Sequence, residues 1–202
     1  MNLVFASNNG HKLSEVRRIM PQHITVLSLA DVGFAAEIDE TGDTLEQNSA
    51  IKAQTVWDWL CAHDLPHIDG VFADDTGLEI DALNGGPGVY TARWAGEPAA
   101  NRAKALRELQ GAADRACQFR TVITLITPSR DAAQPVLTQV EGVVRGRIAE
   151  EEYGQGGFGY DPLFIPDGYD KTFGELPPEL KNEISHRARA LQQLVKILNS
   201  TL

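Results

Sequence analysis

The chain has 202 residues, 43% of them apolar, and a formal net charge of −10. That length can bury one sizeable core, that composition argues against broad disorder, and so acidic a surface argues against a nucleic-acid polymer as partner. No apolar run approaches the roughly 20 residues that cross a bilayer, and Cys61 and Cys117 lack the short spacing of a metal or redox pair, so no membrane association and a reducing cytoplasm are expected.

Residues 3–6 read as a first strand rather than as part of a signal peptide, because no basic region or long apolar stretch accompanies them. Residues 10–20 follow as a helix, with Leu13, Val16, Ile19 and Met20 on one stripe and Pro21 as the stop. Residues 24–29 read as a second strand, and a polar loop runs on through Gly42. Thr44 and Gln47 have the spacing of a capping box. The helix they open reaches about Ala62, with Ala53, Val56, Trp57 and Leu60 facing inward, and Asn48 and Lys52, four apart, share a face. Residues 70–74 form a third strand ending in Asp74 and Asp75, and residues 78–83 a further one. Gly85, Gly86, Pro87 and Gly88 are too glycine-dense for a strand interior and read as a shaped turn.

Residues 98–109 are a second amphipathic helix. The period then changes to two β-rich runs, 117–127 and 136–148, joined by a polar loop with Pro128 and Pro135, as in a long hairpin. Residues 163–165 are a short strand. A closing helix starts near Ser185, with Ala188, Leu191, Leu194, Val195 and Leu198 as its stripe. Intermixed helices and strands give an α/β fold with a mixed, twisted sheet.

Five segments carry candidate chemistry. Ser7, Asn8, Asn9, Gly10, His11 and Lys12 place small polar residues and a cation at a helix start, where anions bind well. Glu40 precedes the capped helix that carries Lys52, so the carboxylate could meet Asp75 while the lysine reaches a phosphate oxygen. Adjacent carboxylates at Asp74 and Asp75 repel each other, and a divalent cation such as Mg²⁺ would hold them; either could also deprotonate a water. In the glycine-rich stretch 154–159, Phe158 could lie flat on a planar base, with Tyr160 and Asp161 offering polar edges. If Ser185 caps the last helix, His186 and Arg187 sit in its first turn against the helix dipole, a cost that a nearby anion or oxygen-rich base edge would offset. Each segment has a plainer counterpart: a common strand-to-helix turn, a solvated acidic loop, a tight turn capped by Asp74, a core phenylalanine, and a helix that begins near Pro178.

Together these segments resemble the inosine triphosphate pyrophosphatase family. The resemblance runs through residues 6–12 with Glu15, 40–53, 73–78, 86–96, 156–162 and 184–187, in the family's order and over nearly the whole chain. It implies an elongated α/β fold, a central mixed sheet with flanking helices, two lobes around a central cleft, and a homodimer. It implies hydrolysis of the purine nucleoside triphosphates ITP, dITP and XTP to monophosphate and pyrophosphate with Mg²⁺. By resemblance Ser7 through Lys12 and Lys52 hold the phosphates, Glu40 and Asp75 bind metal, and Asp75 accepts the proton. Thr76, Phe158, Gly159, Tyr160, Asp161, Lys181, His186 and Arg187 contact the nucleotide. Thr76 stands where the family usually has serine, and Leu45 where it often has phenylalanine. Two alternatives stay open at this level: a non-catalytic purine nucleotide sensor, and a pyrophosphatase for modified pyrimidine nucleotides.

Overall fold

The computed structural model describes residues 1–63, 65, 67–129 and 134–201; residues 130–133, part of the loop expected between the two long strands, lie outside them. In chain order the elements are β1 (Asn2–Phe5), α1 (Gly10–Ile19), β2 (Thr25–Leu27), α2 (Leu45–Ala62), β3 (Gly70–Ile80), β4 (Gly86–Gly88), α3 (Pro98–Glu108), β5 (Ala116–Thr127), β6 (Val136–Ile148), β7 (Phe164–Pro166), α4 (Pro178–Ile184) and α5 (His186–Thr201). The strands form one seven-stranded sheet in the order β2-β1-β3-β5-β6-β7, with β4 paired to β3. Pairing is parallel for β1 with β2 and with β3, and antiparallel for β3 with β4 and β6 with β7. The expected mixed sheet with flanking helices is what the chain forms. Among the described residues no helix is long and apolar enough to cross a membrane.

The chain divides into two compact units. The first comprises Met1–Asp75, Thr121–Glu141 and Ala190–Leu202; the second comprises Thr76–Arg120 and Gly142–Arg189. In the first unit the strands are covered on both faces. Leu3, Phe5 and Phe72 pack with Val16 of α1 and with Leu191 and Leu194 of α5. Val4, Ala6, Val71 and Ala73 pack instead with Ala53, Val56 and Leu60 of α2. Alternate side chains of a strand point to opposite faces, so these two clusters are the two sides of the same strands. Phe5 and Phe72, opposite each other in the ladder, stack at 4.9 Å between ring centroids.

In the second unit one face of the strands is apolar. Leu78 and Ile80 of β3, Cys117 and Phe119 of β5 and Val144 and Ile148 of β6 pack against Ala105 and Leu109 of α3 and against Phe164 and Phe173. The side chains between them are polar: Glu79 accepts from Gln118 and Arg120 across strands, and Arg145 pairs with Asp81 just past the end of β3.

Several expected boundaries change. The second strand is limited to Thr25–Leu27, the residues in register with Asn2–Val4. The third strand does not stop at Asp74. It continues to Ile80 and is followed by a single 3₁₀ turn at Asp81–Leu83, so the separate strand expected at 78–83 is the end of β3. Asp and Gly disfavour strands locally, but β5 lies beside β3 in the sheet, with β1 beside the start of β3 and β4 beside its end. The same pairing makes Gly86–Gly88 a strand rather than a turn; the turn lies just before it, at Asn84 and Gly85, both with positive φ. The closing helical region is two helices, because a first one, α4, already spans Pro178–Ile184. The break between them is at Ser185, whose hydroxyl accepts the Ala188 amide and so caps α5 as expected.

Candidate functional site

In the first unit β1 delivers the chain to a tight turn. The Ser7 hydroxyl accepts the Asn9 amide, and the Asn9 side-chain oxygen accepts the His11 and Lys12 amides, which makes Asn9 the N-cap of α1. Asn8, Asn9, Gly10 and His11 are exposed. Two of the helix-start amides expected to face an anion are therefore already held by Asn9. Lys12 leaves the same turn with its Nζ 3.0 Å from Asp74 Oδ1.

Because β3 continues through the acidic pair, Asp74 and Asp75 point to opposite faces of the strand. Asp74 follows Phe72 toward α1 and meets Lys12. Asp75 follows Ala73 toward α2, where Lys52 Nζ lies 3.0 Å from its Oδ1 and 2.9 Å from Glu40 Oε1. The expectation that the neighbours stand side by side and repel is corrected by this alternation: each carboxylate has its own lysine. Glu40 and Asp75 do come together, but on Lys52, the lysine expected to face a phosphate oxygen.

The loop that carries Glu40 is stitched to the first turn of α2. Asn48 Oδ1 accepts the Gly42 amide, Gln47 Oε1 accepts the Asp43 amide, and Thr44 Oγ1 accepts the Gln47 amide. Thr44 is the expected cap, but Gln47 reaches back to Asp43 rather than to Thr44. A Cβ at Gly42 would stand 2.6 Å from the Gln47 Cβ, so only glycine allows the loop this close. Behind α2, the Ser49 and Thr124 hydroxyls lie 2.6 Å apart, and Gln139 donates to Thr124. This buried polar anchor carries no motif in the sequence and was not foreseen.

Three carboxylates (Glu40, Asp74, Asp75) meet two ammonium groups (Lys12, Lys52) in a largely buried cluster. Burial, the largest influence, together with Glu40 raises the Asp75 carboxyl above its ordinary value, against the pull of Lys52 and Lys12. Burial also works hardest against the Lys52 ammonium, yet Asp75, Asp74 and Glu40 outweigh it and raise that pKa as well. An isolated ion pair lowers its acid while raising its base; here both rise because burial outweighs the two lysines at Asp75, while the three carboxylates outweigh burial at Lys52. Asp75 Oδ2 is buried without a hydrogen-bond partner. An orphaned carboxylate oxygen and an all-oxygen donor set fit a hard divalent cation. Among the described residues no three His, Cys, Asp or Glu side chains are grouped closely enough to cage a metal.

In the second unit another group of expected residues comes together. Lys181 Nζ lies 2.6 Å from Asp161 Oδ2 and 4.8 Å from the centre of the Phe158 ring. The guanidinium carbon of Arg187 is 5.8 Å from the same ring, and an Arg187 nitrogen lies 3.4 Å from Thr76 Oγ1. Phe158 is half-buried while Lys181, His186 and Arg187 are buried, so the aromatic is not absorbed into the core. Asp161 also accepts the Phe158 amide at 2.7 Å. A Cβ at Gly157 would run into the Asp161 carboxylate, which explains the glycine there, held at φ +73°. His186 lies edge-on to Phe119, and its Nδ1 accepts the Arg187 amide, which leaves Nε2 to carry the ring proton. Tyr160 points into the core, its hydroxyl donating to the Thr91 carbonyl, and burial pushes that phenol up in pKa. The polar edge expected of Tyr160 is thus committed internally.

A surface cavity of about 760 Å³ in the second unit, bordered by residues such as Asp114, Arg147, Tyr153 and Asp170, contains none of the expected site residues.

An acid–lysine cluster and an aromatic–cation cluster, set on an α/β sheet of this order, define a protein class that comparison with known proteins makes explicit. A model of the Ham1 family matches residues 3–197, and the chain belongs to that family. It is 46% identical to the "dITP/XTP pyrophosphatase" of Flavobacterium johnsoniae, covering all of both chains, and 44% identical to that of Bacillus subtilis, covering 98% of this chain and 96% of the relative. Among solved structures it is similar to the Ham1 protein of Staphylococcus aureus, with a TM-score of 0.84 and 37% identity over 100% of each chain. It is also similar to a nucleoside-triphosphatase, or dITP/XTP pyrophosphatase, of Mycobacterium abscessus, with a TM-score of 0.72 and 40% identity over 96% of this chain and 98% of that one. These findings bear out the resemblance read from the motifs.

Proposed function

We propose that this protein hydrolyses non-standard purine nucleoside triphosphates, ITP, dITP and XTP, to the monophosphate and pyrophosphate. The observation that carries the reading is the buried meeting of Glu40, Lys52 and Asp75, with one Asp75 oxygen unpartnered, in a chain of the Ham1 family. A pure binding module has no use for a water-activating carboxylate in such a place.

The reaction forms a bond between water oxygen and the α-phosphorus and breaks the bond from that phosphorus to the bridging oxygen. Pyrophosphate leaves, and Asp75 takes the proton of the attacking water. Its raised pKa makes it a better proton acceptor than an ordinary aspartate. Lys12 and Lys52 exchange part of their contact with Asp74, Asp75 and Glu40 for phosphate oxygens and neutralise the charge that grows on the leaving group. Ser7 and the Asn8, Asn9 and Gly10 turn, with His11, hold the phosphate chain. Glu40 and Asp75 would hold Mg²⁺, which when bound neutralises phosphate charge.

Phe158 offers a ring face to the base, with Gly159 leaving room beside it. Lys181, the Nε2 proton of His186 and the Arg187 guanidinium are donors, so they accept an oxygen at C6 of the purine and reject the amine of adenine. Thr76, held near Arg187, and Asp161 with Tyr160 keep this group in place. Family membership also supports a homodimer, a two-lobed arrangement around the substrate, and a cytoplasmic setting.

Pyrophosphate release measured across ITP, XTP, dITP, GTP and ATP, with and without Mg²⁺, tests the reading. Release from the first three, dependent on Mg²⁺ and well above that from ATP, is expected. Equal efficiency on ITP and ATP overturns the selectivity, and no release from any of them overturns the activity.

A further inference from the structure

The platform that presents Phe158 is built from residues that ought to make it loose. Gly154, Gly157 and Gly159 all have positive φ, and glycine at such positions gives the unfolded and partly open loop many more states than other residues would. Something must hold the segment if an aromatic face is to meet a base in one orientation.

Two bonds bracket Phe158. On its amino side the Phe158 amide donates to Asp161 Oδ2. On its carboxyl side the Gly159 carbonyl accepts from an Arg102 terminal nitrogen at 3.0 Å. Arg102 belongs to α3, far away in sequence. Its Nε is also 2.9 Å from Glu152 Oε1. That nitrogen is buried and its N–H points off the line to Glu152, so the contact is an ion pair rather than a hydrogen bond. One planar guanidinium therefore joins Glu152 and Gly159, the two ends of the 152–159 loop.

Resting on the reading of Phe158 as a base platform, we infer that Arg102 is a positioning residue for nucleotide recognition. It clasps the 152–159 loop and fixes the Phe158 ring without touching the substrate. An arginine suits the task because its donors are set in a rigid fork, which a lysine's single ammonium does not reproduce. Neither Arg102 nor Glu152 belongs to the acid–lysine cluster, so the clasp acts on binding of the base and not on the chemical step.

The test is the kinetics of Arg102→Met with ITP, beside the inhibition constant of inorganic tripolyphosphate, a probe with no base. A rise of about tenfold in KM is expected, the loss of one charge-assisted hydrogen bond, with kcat within about threefold and the tripolyphosphate constant unchanged. Arg102→Lys falls between the variant and the wild type. An unchanged KM overturns the inference, and so does an equal rise in the tripolyphosphate constant, which would mark general loosening of the fold. If Arg102→Met fails to fold, Glu152→Gln takes its place: KM about threefold higher supports the clasp, and an unchanged KM overturns it. A wild-type protein that releases no pyrophosphate from any purine triphosphate sinks the underlying reading instead, so the two failures are distinguishable.

Discussion

Strand β3 crosses from one unit to the other between Asp75 and Thr76, and the two halves do opposite work. In the first unit both strand faces are covered by helices, α1 and α5 on one and α2 on the other. Each face brings its own lysine, so successive carboxylates find separate partners. In the second unit one face is apolar and the other carries cross-strand polar pairs. The candidate recognition group is there assembled mainly from loop and helix residues, with Thr76 of β3 beside Arg187. The lesson is that the charge pairs are placed by strand parity, whereas the proposed aromatic recognition depends on how a glycine-rich loop is held.

The sharpest break of this comparison is Asp75→Asn. Turnover should fall about 10²–10⁴-fold, the usual worth of a general base, while the dissociation constant for ITP measured by calorimetry stays within about tenfold. Asp74→Asn, on the other strand face, should lose far less; the reverse order would move the base role to Asp74.

Lys52→Met strips the shared cation from Glu40 and Asp75. Removing one partner of a buried pair costs about 3–5 kcal/mol, read as a fall in thermal midpoint without metal. Added Mg²⁺ should recover part of that fall; a midpoint equal to wild type would show that the carboxylates do not need the lysine.

The second unit should answer differently. Phe158→Ala should raise KM for ITP by about tenfold, in line with the roughly 1–3 kcal/mol that base stacking contributes, and leave kcat near wild type. A fall in kcat with KM constant would remove the stacking role.

The smallest effect is one of pH. The folded-state pKa of Asp75 lies above its ordinary value of 3.8. Its contribution to stability is therefore present below that value and lost as pH rises toward the folded pKa. In metal-free protein the thermal midpoint of Asp75→Asn minus that of wild type should grow as pH rises from 3.8. A difference that is flat with pH, or that shrinks, contradicts the raised pKa.

Much of this was legible in the residue order. The apolar stripe of α1 and the Thr44 and Ser185 caps are readable in the sequence, as is the expectation that Glu40 meets Asp75; that Lys52 bridges the two, rather than waiting for a phosphate oxygen, is not. Local rules fix such features: helical period, capping chemistry, and the need of a buried carboxylate for a cation. The joint motif pattern likewise pointed to the Ham1 relatives without help from the fold.

Other features belong to tertiary structure alone. Nothing local told that β3 would run on through Asp74-Asp75-Thr76-Gly77, because its neighbours β1 and β5 lie far away in sequence. Strand parity then sent the two aspartates to different lysines. The burial of Tyr160, the anchor of Ser49, Thr124 and Gln139, and the reach of Arg102 to Gly159 join residues that are, at their closest, 15 positions apart. Sequence order states which groups are available; only the packing of distant segments decides which of them meet, since the free energy that orders those contacts comes from surfaces buried together rather than from the residues taken one stretch at a time.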